Sequence, residues 1–136
     1  MCQRLYIAST HLLPQLRSPH LVVAPMHEPS VRPWFSAEVV NVAEARGHVE
    51  CGCGFPVINE RRPDQAVLRE DAETVKALAT YLTGLAKRKY IAELVLSYVG
   101  LEPEAPTNWR EVSLADLLAP GFRFRTDEGL RVRPHP

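Results

Sequence analysis

A chain of 136 residues with 46% apolar content is the size of one globular domain and long enough to bury a core without stapling disulfides. Lysine plus arginine and aspartate plus glutamate number 16 each, so no global charge draws the protein to nucleic acid, an anionic membrane or an acidic substrate; such a partner would need a local patch. Its apolar runs, such as Leu21 to Pro25, fall far short of the roughly 18 residues that cross a bilayer, and the three cysteines are an odd number, so the composition points to a soluble protein of the reducing cytoplasm.

In chain order, Leu5 to Ser9 alternates bulky and smaller residues and predicts a first strand, with Cys2 just ahead of it. His11 to His20 contains two prolines and reads as loop, after which Leu21 to Ala24 is a short buried strand or extended segment ended by Pro25. Pro29 to Pro33 excludes regular structure and leaves Trp34 and Phe35 to fold back as an apolar lid. Ser36 is able to cap a helix reaching Gly47, but Val39, Val40 and Val42 are β-branched and favour a strand, the reading adopted here. Gly47 to Phe55 is then the loop leaving that strand's carboxyl end, a common position for functional groups.

From Asp71 to Lys87 the residues Val75, Leu78, Ala79, Leu82, Leu85 and Ala86 recur at spacings of three and four and predict a long amphipathic helix. Acidic residues at its start and Lys87, Arg88 and Lys89 at its end suit the helix dipole. Ile91 to Val99 alternates as a central strand, and a proline-rich loop carries the chain past Trp109. Ser113 to Asp116 resembles a capping box and starts a short helix through Leu118. Beyond Pro120 and Gly121, Phe122 to Arg125 and Leu130 to Arg133 read as a closing hairpin around Asp127 to Gly129, with residues 134–136 as a tail. The whole predicts one α+β domain over residues 1–133. It has a mixed sheet of five or six strands, one long helix on a face, a short second helix and a C-terminal β-hairpin.

Chemistry concentrates at His48-Val49-Glu50-Cys51-Gly52-Cys53-Gly54-Phe55. Two thiols one residue apart in extended chain have Cα atoms roughly 6.5 to 7 Å apart. Two thiolates on a tetrahedral metal stand only about 3.8 Å apart, so the chain must bend between them, and Gly52 permits the bend. Gly54 permits a second unusual backbone angle, and neighbouring amide N–H groups then favour thiolate over thiol. Cys51, Cys53 and Cys2, with His48 as fourth ligand or as a group behind the ligands, make a candidate site for a soft metal. Zinc accepts these donors without redox chemistry and is the first expectation; an iron-sulfur cluster or copper also suits them. Against this stands plain burial of small thiols in a tight turn.

The same residues allow thiol chemistry instead, either a dithiol-disulfide pair at Cys51 and Cys53 or a nucleophile activated by His48. A third reading uses Arg123, Arg125, Arg131 and Arg133, which share one face of the expected hairpin and could hold phosphate or nucleic acid. Strand alternation also predicts that pattern for any half-buried hairpin with a solvated outer face. His11, His20 and His27 are scattered in loops, Trp34 and Trp109 are loop aromatics, and Glu93 becomes notable if its strand face is buried.

Two resemblances follow from these residues. Cys51-Gly52-Cys53-Gly54 followed by Phe55 is similar to the Cys-Gly-Cys-Gly-x-Ser-Phe ending of the A-type iron-sulfur carriers, which add a third, upstream cysteine. That likeness covers this segment alone and implies a ligand logic, without a fold. Over most of its length the chain resembles a family of small bacterial proteins, without an assigned activity, that begin with Met-Cys and a Leu-Tyr-Ile-Ala strand and carry His-x-x-Cys-Gly-Cys-Gly-Phe. Met1-Cys2, Leu5 to Ala8, His48 to Phe55 and Ser113 to Leu118 match that outline. The resemblance implies that Cys2 belongs with Cys51 and Cys53.

Overall fold

Alternation of side chains along the strands builds one mixed sheet in the computed structural model of the chain, which describes residues 3–26, 29–45, 72–90, 92–98, 105–119, 122–125 and 128–133. Among these residues the strands are β1 (Gln3–Ser9), β2 (Leu16–Arg17), β3 (Leu21–Pro25), β4 (Val39–Ala45), β5 (Ala92–Tyr98), β6 (Asn108–Ser113) and β7 (Glu128–Arg133). They lie in the order β2-β3-β4-β1-β5-β7-β6. Every neighbouring pair is antiparallel except β6 and β7, which run parallel and are joined through a short helix, α2 (Leu114–Leu118). The long helix α1 (Ala72–Lys87) packs on one face, and a 3-10 helix (Pro29–Trp34) lies against the other.

The two faces can be read from the register. Leu5 and Ile7 of β1, Leu94 and Leu96 of β5 and Ala43 of β4 face α1, which lays Leu78, Leu82 and Leu85 onto them. Thr74 continues that buried stripe one turn earlier, and its hydroxyl donates to the His20 carbonyl at 3.0 Å, fixing the helix to the approach of β3. Tyr6, Ala8, Val40 and Val95 form the opposite face and are covered by Val31, Phe35 and Ala37. The expected lid is therefore present: Phe35 is buried and Trp34 meets Tyr6 edge-on at 6.0 Å. Because β1 and β5 are buried on both faces, Leu5 to Ala8 and Ala92 to Ser97 read as nearly continuous buried runs.

The α+β class and the two helices agree with expectation, and the α2 capping box is complete. Asp116 N–H donates to the Ser113 hydroxyl, and Ser113 N–H donates to the Asp116 carboxylate, each at 3.1 Å. Among the described residues the strands number seven rather than five or six. β2 is two residues long, too short to carry a periodicity, and β6 is an edge strand whose Arg110 and Glu111 break any apolar pattern.

Among the described residues the expected hairpin does not form. β7 has only two edges, and β5 and β6 occupy both, so residues 122–125 contribute no more than a bridge at Phe124. The α2 crossover brings β6 alongside β7 and displaces the local pairing. Among the described residues no helix is long and apolar enough to cross a membrane.

Candidate functional site

β1 and β4 are antiparallel neighbours with Leu5 opposite Ala43, and that register, run two positions further, sets Gln3 level with Ala45. Gln3 also pairs with Tyr98 at the end of β5, and Ala45 with Leu21 at the start of β3. Four chain segments thus reach one end of the sheet. Cys2 directly precedes Gln3 in sequence, and His48, Cys51, Gly52, Cys53 and Gly54 follow Ala45. These six residues lie outside the described part of the structure. Among the described residues no three histidine, cysteine, aspartate or glutamate side chains gather as a metal group.

On the sheet face away from α1, Glu93 is 2% exposed, the burial that makes it notable. A buried carboxylate needs hydrogen-bond donors on its oxygens, and three are present. The Ala37 backbone N–H donates to Oε1 at 2.8 Å, the Ser36 hydroxyl to Oε2 at 3.0 Å, and Arg131 Nε to Oε2 at 3.2 Å. Cross-strand register makes the last contact inevitable, because Glu93 and Arg131 are directly opposed in β5 and β7. Arg131 lies over the Trp109 ring, 5.2 Å from its centre, and Phe35 meets the same ring edge-on at 6.0 Å. The arrangement fastens the segment after the 3-10 helix to the sheet. Its carboxylate is an acceptor already in use, which suits a structural tie better than an acid or base awaiting substrate. The sequence marked Glu93 through its strand face, whereas Ser36 and the Ala37 amide, more than fifty residues away, carried no signal of this role.

The arginine stripe divides. Arg131 and Arg133 share a face of β7, but Arg131 pairs with Glu93 and Arg133 with Glu111, the latter also at 3.2 Å. Arg123 and Arg125 belong to the segment around the Phe124 bridge, and Arg123 donates to the Phe122 carbonyl at 2.7 Å. With the hairpin absent, the four no longer share one strand-paired face.

Other candidate groups have local partners. His11 stacks on Tyr90 at 4.2 Å, and the backbone carbonyl of His20 serves Thr74; His27 lies outside the described residues. Trp109 packs across Gly129 of the neighbouring strand. The Tyr81 hydroxyl donates to the Pro14 carbonyl at 2.7 Å, and burial pushes its pKa up to about 12, the positive charge of Arg88 opposing the shift. At Asp116 the Ser113 N–H, and after it the Ser113 hydroxyl, hold the carboxyl below its usual range. Near the sheet end that leads to the thiols, the face away from α1 carries a hollow of about 380 Å³ between Arg4, Ala24, Met26, Val42 and Glu44, with Arg4 and Glu44 paired at 3.4 Å.

The fold and register define an α+β protein in which the start of β1 and the end of β4 lie on neighbouring strands. No protein-family model matches the chain, and no curated protein and no solved structure is significantly similar to it.

Proposed function

We propose that this protein binds a soft metal ion or a small iron-sulfur cluster through Cys2, Cys51 and Cys53, with His48 as the fourth ligand or as a group behind the ligands. Zinc is the first choice, since it takes three thiolates and an imidazole in tetrahedral geometry. The observation that carries this reading is the antiparallel pairing of β1 with β4, which brings Gln3, the residue after Cys2, level with Ala45, from which the chain continues to the other thiols. Neighbouring strands are about 4.8 Å apart, and each further residue reaches at most about 3.5 Å, so the distance from Ala45 to Cys51 leaves ample chain to fold back towards Cys2.

The bond-making is simple. Each thiol releases a proton on binding, so affinity rises with pH until the thiolates are formed, and the amides around Gly52 and Gly54 favour that ionised state. The likeness of Cys51-Gly52-Cys53-Gly54 to the A-type iron-sulfur carriers supports the same ligand logic and extends the metal choice to a cluster. Storage, delivery, sensing and structural support are all compatible with such a site.

The test is the metal content and visible absorption of protein purified anaerobically without a histidine tag. Near-stoichiometric zinc, iron or copper, lost in Cys51→Ser and Cys53→Ser, is the expected result; metal-free wild-type protein would sink the proposal. Should the thiols act as nucleophile or redox pair instead, alkylation of metal-free protein would titrate well below the ordinary thiol value of about 8.5. The arginine-based reading has less support, because Arg131 and Arg133 are neutralised by Glu93 and Glu111.

A further inference from the structure

We draw no further inference here: the strongest candidate, the hollow of about 380 Å³ on the sheet face away from α1, is an open, mainly apolar surface whose two rim charges, Arg4 and Glu44, pair with each other, and nothing in the structure shows what covers it.

Discussion

Glu93 is a carboxylate carried to a site of 2% exposure, and its three donors come from two parts of the chain: Ser36 and Ala37, just after the 3-10 helix, and Arg131 of β7. Removing it leaves the buried Ala37 N–H without its acceptor and Arg131 without its counter-charge. Breaking such a pair costs about 3 kcal/mol by the usual range, the half-exposed arginine keeping the figure at its lower end. Glu93→Ala should therefore lower stability by about that amount in urea unfolding, with Glu93→Gln less affected because it still accepts from Ala37. Equal, negligible changes for both would mean that the lid is held by its apolar contacts alone. At Gly129 the constraint is space. A Cβ there would stand 2.4 Å from the Trp109 ring, so Gly129→Ala must push the indole off β7, and a loss of about 2 kcal/mol is expected from the same unfolding measurement. Tyr81 makes the pH-dependent case. Its folded pKa of about 12 lies above the ordinary 10.0, so the folded state holds the phenolic proton more tightly than the unfolded one. That contribution is complete below pH 10 and is lost as pH climbs towards 12. Wild-type stability should fall more steeply than that of Tyr81→Phe across this window, and parallel curves would refute the assignment.

At the scale of elements, α1 illustrates both what its sequence declares and what it conceals. The apolar spacing from Val75 to Ala86 and the basic residues at its end located the helix closely, because burial of one stripe and the dipole act locally. Its termination was less legible. Tyr90 N–H donates to the Leu85 carbonyl and Lys89 N–H to that of Ala86, the paired bonds of a Schellman turn, with Lys89 at φ 61° where glycine is usual. Gly84, by contrast, sits within the helix with open space where a Cβ would go. Gly84→Ala and Lys89→Gly should each raise stability by about 1 kcal/mol, the first through helix propensity and the second by removing left-handed strain. A melting-temperature rise for neither would contradict this account of the helix. The strands divide in the same way: β1, β4 and β5 announce themselves by β-branched or alternating residues, whereas β6 is polar at four of six positions and is recruited by β7 through tertiary pairing. The hairpin expectation failed for that reason, since residues 122–125 have the alternation but lose the contest for the edge of β7 to β6.

For the whole molecule, sheet order supplies what no local pattern contains. Cysteine spacing and flanking glycines single out residues 48–55 in the sequence, outside the described residues, whereas the β-branched run before them made β4 legible. That β1 would be the neighbour of β4, and antiparallel to it, is a fact of topology, and the proposal that Cys2 joins a pair some fifty residues away in sequence rests on it. Glu93 marks the opposite situation: its importance rests on donors distant in sequence, so the strand face could be read but the tie could not. The measurement that bears most directly on the central claim is the metal-to-protein ratio of untagged, anaerobically purified wild type beside Cys2→Ser, Cys51→Ser and Cys53→Ser, with circular dichroism to verify that each variant is folded. The account predicts near-stoichiometric metal in the wild type and marked loss in all three folded variants, Cys2→Ser included. Wild-type protein without metal would contradict the site, and full retention by Cys2→Ser would contradict the role that the pairing of β1 with β4 suggests for that thiol.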